Sequence, residues 1–149
     1  MATDSISTST LLQRLFKNTD IASFIDHHSE YMNRVSFDVY INRLCKDRDT
    51  VPERIIKKSG IDRTYGHQIF NGSRKPSRDK VIQLALGFEM DFYEAQELLK
   101  IARKSTLYPK IGRDAVLIYA LNKKKTVTEV QATLEELSMP LLGKEDRYE

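Results

Sequence analysis

Tryptophan is absent from the 149 residues, cysteine occurs once, at Cys45, and histidine three times, at His27, His28 and His67. A single cysteine excludes an internal disulfide. His27 and His28 are adjacent, so on a helix they point about 100° apart and cannot share a metal on one face. The sequence also lacks a glycine-rich phosphate loop, a nucleophile elbow, and any His/Cys/Asp cluster at metal-ligand spacing. No enzyme, metal or cofactor is therefore expected. No long uncharged apolar run is present, which excludes a membrane-spanning helix. The opening MATDSISTSTLLQR lacks a basic stretch followed by an apolar one, and with the lone cysteine this predicts a cytoplasmic protein.

Charge is nearly balanced overall, at +3, but unevenly placed. Residues 1–42 carry −2, residues 43–80 carry +6 and residues 81–149 carry −1. A basic centre between neutral flanks is the footprint expected for a polyanion partner, although solvated helix faces produce the same count.

Apolar residues recur at three- and four-residue spacing, and alternating strand-like runs are lacking, so an all-α protein is expected. The Ser/Thr-rich residues 1–10 should fray. Helices are predicted near Leu11–Phe16 and from Ile21, started by Asp20, to Tyr31. Ser36 should cap a helix to about Lys46 with Phe37, Ile41 and Leu44 on one face and Cys45 as an inert core residue. Pro52 suits the first turn of a helix to Ser59, stopped at Gly60. Asp62 should cap Arg63–Phe70, and Ser77 a helix whose Val81, Leu84, Ala85 and Phe88 are core candidates. Asp91 with Glu94 opens a helix to about Arg103, carrying Ala95, Leu98, Leu99 and Ala102 inward. Pro109 and Gly112 should interrupt the chain before Asp114–Asn122. Thr126 with Glu129 boxes a last helix to about Leu137, ended by Pro140 and followed by a loose tail. The expected divisions are 1–35, 36–90, 91–142 and the tail 143–149.

The informative stretch is Val51–Phe88. Two short helices meet through a turn at Gly60, and the second closes at Asn71-Gly72 before the basic loop Ser73-Arg74-Lys75-Pro76-Ser77. That is a helix-turn-helix. In Gly60-Ile61-Asp62, Asn71-Gly72 and Pro76-Ser77, with the amphipathic helix behind them, the segment from Ser36 to about Phe88 resembles the lambda-repressor-like Cro/XRE family of DNA-binding domains. The resemblance implies a helix-turn-helix domain with short N-terminal helices before it and a further C-terminal helical layer. It makes Arg63–Phe70 the recognition helix in the major groove of double-stranded DNA. It implies Arg63, Thr64 and Gln68 as base readers, since Arg grips guanine, Gln adenine, and Thr meets the thymine methyl. It places Asp62, Tyr65, His67, Asn71, Ser73, Arg74 and Lys75 at the sugar-phosphate backbone, fixing register.

The sequence departs from that family in three places. Relatives commonly have a small residue in the second helix facing a larger one on the recognition helix; here Ile56 and Gly66 exchange the sizes. Gly66 costs a helix about 1 kcal/mol against Ala, so it is expected to admit the Ile56 side chain. Many relatives carry an Arg–Glu pair where this chain has Cys45 and Phe70, an apolar replacement a fold tolerates. Pro52 stands where relatives often have a phosphate-binding Gln.

One such motif selects a site poorly, so the family implies a homodimer on two half-sites. Candidate dimer or partner surfaces are Leu11, Leu12, Leu15 and Phe16, and, in the C-terminal pair, Val116, Leu117, Tyr119, Leu121, Val127, Val130, Leu134, Leu137 and Met139; intramolecular packing is the other reading of both sets. Lys123-Lys124-Lys125 is either a second phosphate contact or a solvated loop. The expected function is sequence-specific transcriptional regulation. Its competitor is an adaptor or antitoxin-like subunit that uses the scaffold or its C-terminal helices to bind a protein.

Overall fold

The structure, a computed structural model, describes residues 6–32 and 35–143. Its regular elements are α-helices, with no strand among the described residues. Contacts divide the chain into two compact units, with the division falling between Val35 and Ser36.

The first unit holds α1 (Thr8–Lys17), α2 (Ile21–His27) and α3 (Ser29–Met32). The Ser7 hydroxyl accepts from the Thr10 amide, so the helix begins within the Ser/Thr-rich stretch expected to fray. Asp20 caps α2 as expected, its carboxylate accepting from the Ala22 amide. The single helix expected through Tyr31 instead breaks at His28, where φ is −118° and ψ is 15°. The His28 ring stacks on Phe24 at 4.2 Å, and its Nδ1 donates to the Phe24 carbonyl. His27 Nδ1 likewise meets the Ser23 carbonyl, so each imidazole bonds its own helix.

The second unit contains α4 (Phe37–Asp47), α5 (Pro52–Lys58), α6 (Arg63–Asn71), α7 (Arg78–Gly87), α8 (Phe92–Ile101), α9 (Gly112–Asn122) and α10 (Val127–Glu136). Its axis is α7, where every residue from Val81 to Gly87 is buried against α5, α8 and α10. The one polar side chain of that run, Gln83, donates to the Ser59 carbonyl at 3.1 Å. Ser36 sits at the start of α4 with extended backbone, but its hydroxyl makes no capping bond, contrary to expectation. Cys45 is buried as expected, and burial pushes its thiol pKa up.

From Arg78 onward the chain repeats itself at an offset of 35 residues. Arg78-Asp79 recurs as Arg113-Asp114, the Asp91–Glu94 capping box as Thr126–Glu129, Gln96 as Gln131 and Leu107 as Leu142. Each glutamine exchanges two hydrogen bonds with the backbone of its leucine: Gln96 with Leu107 at 3.0 and 2.8 Å, Gln131 with Leu142 at 3.0 and 2.8 Å. The closing turns repeat too. Glu89 and Lys124 have φ of 57° and 54°, Arg103 and Ser138 of 59° and 57°.

The two hairpins, α7–α8 and α9–α10, are locked by a reciprocal clasp. Arg78 forks onto Asp114 at 3.1 and 2.9 Å and also donates to the Ser105 and Thr106 carbonyls. Arg113 forks onto Asp79 at 3.0 and 2.9 Å and donates to the Pro140 and Leu141 carbonyls, the residues 35 positions on. The amides of Tyr108 and Gly143, again 35 apart, donate to Asp114 and Asp79. Each hairpin thus supplies the arginine for the other's aspartate, an arrangement with twofold pseudosymmetry. Helix packing joins the two copies as well, α8 against α9 and α7 against α10.

The clasp also shows what the expected start of α9 left out. The break expected around Pro109 and Gly112 lies between α8 and α9, but α9 starts at Gly112, two residues before the expected Asp114, and Asp114, in its first turn, is buried in the clasp. Among the suggested dimer residues, Leu117, Leu121, Val127, Val130 and Leu134 lie in the core, with Val116 and Met139 packed against it. Tyr119 and Leu137 remain exposed, as do Leu12, Leu15 and Phe16, while Leu11 is partly buried.

Candidate nucleic-acid interface

The helix-turn-helix is built around four isoleucines. Ile55 and Ile56 of α5, Ile61 of the turn and Ile69 of α6 are all buried. Gly60 takes φ +66° between the helices, and the Asp62 carboxylate accepts from the Tyr65 amide to start α6. Where α5 crosses α6, a Cβ on Gly66 would lie 2.5 Å from Cγ2 of Ile56. The glycine therefore makes room for that side chain, as the exchanged sizes predicted. Asn42 of α4 donates to the Phe70 carbonyl at 2.8 Å, tying the far end of α6 to the domain. Cys45 and Phe70 are both buried.

Packed on α4 and α5 by this inner face, α6 turns its other side outward. The Arg63 side chain is 78% exposed. Thr64 and Asn71 are exposed, and Tyr65, His67 and Gln68 half-buried. Spacings of three and four put Thr64, Gln68 and Asn71 along one stripe and Arg63 and His67 along the next.

These side chains form two local networks. At the C-terminal end, Gly72 turns the chain at φ +83° and Asn71 Oδ1 accepts from the Ser73 amide. Arg74 folds back so that its Nε donates to Gln68 Oε1 at 3.0 Å while its guanidinium lies 4.4 Å from the Tyr65 ring centre. Lys80 lies 5.3 Å from the same ring. Lys75 is exposed. At the N-terminal end, Glu53 of α5 receives Arg63 Nε on one oxygen at 2.7 Å and His67 Nε2 on the other. Those two hydrogen bonds, from Arg63 first, hold the Glu53 carboxyl below the usual carboxylate range. Beside it, Asn42, Val51, Pro52, Phe70 and Asn71 line an open depression of about 410 Å³.

No family model, curated protein or solved structure matches the chain. The functional reading therefore rests on this geometry.

Sequence reasoning did not find Glu53. An acidic residue in the first turn of α5 reads as a favourable helix-start charge, and its reach to Arg63 depends on a crossing angle that spacing does not encode. The lysine run also resolves locally. Lys123 sits 5.8 Å from the Tyr119 ring, Lys124 donates to the Glu89 carbonyl at 2.6 Å, and Lys125 lies 4.0 Å from Glu129. No group of three or more potential ligands for a metal ion occurs among the described residues, and no helix of theirs is long and apolar enough to cross a membrane.

Proposed function

We propose that this chain binds double-stranded DNA sequence-specifically and regulates transcription, with α6 lying in the major groove. The observation that carries the reading is the outward side of α6, whose two neighbouring stripes carry Thr64 and Gln68 on one and Arg63 on the other, followed by the basic loop with Arg74 and Lys75. Arg63 offers the fork that guanine accepts, Gln68 the donor–acceptor pair that adenine accepts, and Thr64 a methyl for thymine. Asn71, Ser73, Arg74 and Lys75 stand where phosphates would pass, with Tyr65 and His67 at the margin. Asp62 contributes through its cap, since a carboxylate repels phosphate.

A lone helix reads few base pairs, so binding as a homodimer in the cytoplasm is part of the proposal. Exposed Ile111, Tyr119 and Leu137 in the C-terminal layer also favour the competing reading, a protein-binding adaptor.

Selection from a random duplex pool tests the proposal. It should enrich one motif with a fixed half-site spacing, and the affinity should fall steeply as salt rises. A flat pool, or an interaction indifferent to salt, would overturn it in favour of the adaptor.

A further inference from the structure

We propose that Glu53, from outside the recognition helix, is a positioning residue that sets the guanine preference of Arg63; this rests on the DNA-binding reading above. The guanidinium carries one N–H on Nε and two on each terminal nitrogen. Glu53 Oε1 takes the Nε hydrogen at 2.7 Å, which leaves the terminal nitrogens for an outside acceptor pair. A side chain that is 78% exposed otherwise samples many rotamers, and a planar fork held along one edge loses that freedom before it meets the base.

Glu53 is itself held. Pro52 occupies the first position of α5 and fixes the backbone there, and Glu53 lies in the first turn, where the helix favours a negative charge. Its second oxygen is taken by His67 Nε2, one turn of α6 beyond Arg63. One carboxylate therefore bridges two successive turns of the recognition helix from a different element. The same charge lies where phosphates pass and repels them. Glu53 thus lowers affinity for DNA of any sequence while raising discrimination, so its removal should move the two quantities in opposite directions.

The experiment measures binding of the full chain to its selected duplex, to the same duplex with the Arg63 guanine replaced, and to random duplex, at one fixed salt concentration. Glu53→Ala should tighten random-duplex binding while the preference for guanine at one position falls about tenfold, within the range of one bidentate contact. Glu53→Gln keeps an oxygen that accepts from Arg63 but loses the charge. It should tighten random binding similarly and retain more of the preference. In an Arg63→Ala background, Glu53→Ala should leave preference at that position unchanged, because the pair acts as one unit. Matching circular dichroism and melting curves show that the variants are folded.

Unchanged preference in Glu53→Ala overturns the positioning role, and so does an equal loss on all three duplexes. Failure of the wild-type chain to select any motif is a different result. It removes the DNA-binding reading, and this inference with it.

Discussion

Ile56 occupies the volume that a side chain at position 66 would need: Cγ2, Cγ1 and Cδ1 of the isoleucine lie 2.5, 2.7 and 3.0 Å from the place of a Cβ on Gly66. The missing methyl at one position and the extra methylenes at the other are a single packing solution at the crossing of α5 and α6. Both residues are buried, so the solution has no solvent outlet.

Gly66→Ala should therefore destabilise the protein by about 1–3 kcal/mol, overpacking outweighing the better helix propensity of alanine. Ile56→Ala alone should cost about 2–5 kcal/mol by leaving a cavity. The double variant should cost clearly less than the sum, because each change relieves the other. Urea unfolding of the four proteins measures this, and strict additivity would refute the shared-volume account.

The two arginine–aspartate pairs between the α7–α8 and α9–α10 hairpins make a similar test. Asp79 is fully buried and its partner Arg113 is 12% exposed, whereas the Arg78 side chain is 23% exposed. Breaking a buried pair strands the remaining charge at a cost of about 3–5 kcal/mol. Arg113→Met should reach that range and Arg78→Met should fall below it, both read from denaturant midpoints. Equal losses would mean that the pseudosymmetry of the bonds extends to their solvation.

Much of this fold was legible because local chemistry and tertiary structure agree. Asp20, Asp62, Ser77, Asp91 and Thr126 all cap as their side chains predict. The failures have particular causes. Ser36 has the right residue type and backbone but makes no capping bond. Gly112 closes the expected break and is itself the first residue of α9, two positions ahead of the expected Asp114. The helix ends at Glu89, Arg103, Lys124 and Ser138 use left-handed backbone without the glycine that normally marks it. The repeat is faint in the sequence because its two halves keep the Arg-Asp pair, the glutamine and the leucine while most positions between them diverge. In the candidate interface, residue types were readable on α6, but the partners that hold them, Glu53 for Arg63 and Arg74 for Gln68, depend on how elements cross.

Gly87 offers a contrast with Gly66. A Cβ there would lie 2.0 Å from the Ser59 hydroxyl oxygen, and also 3.0 and 3.1 Å from the Ser59 backbone nitrogen and Cα. Ser59 is buried, its hydroxyl donates to the Ile55 carbonyl, and its own carbonyl accepts from Gln83 at 3.1 Å. Gly87→Ala should lower stability by about 1–3 kcal/mol or more. Adding Ser59→Ala should not restore it, because the backbone still obstructs and a buried hydrogen bond is lost. Full recovery in the double variant, measured by thermal melting, would show that the α5–α7 contact yields more easily than its geometry implies.

Under the proposed DNA-binding reading, Arg74 would join two roles that the motif alone would keep separate. As a cation on the loop after α6 it should contact phosphate, so Arg74→Ala should weaken binding to all duplexes and reduce the slope of log affinity against log salt by about one. But its Nε also donates to Gln68 Oε1, and its guanidinium packs on Tyr65. That bond directs the Gln68 amide, so Arg74→Ala should additionally erode discrimination at the base pair Gln68 is proposed to read. Arg74→Lys separates the two effects. Lysine keeps the charge and so the salt slope, but a compact ammonium has no planar fork to hold an amide while stacking on a ring. It should lose part of the preference at that one position, and Gln68→Ala should abolish the difference between Lys and Arg there. A salt slope that drops in Arg74→Lys as far as in Arg74→Ala would mean that the guanidinium's shape, rather than its charge, meets the phosphate.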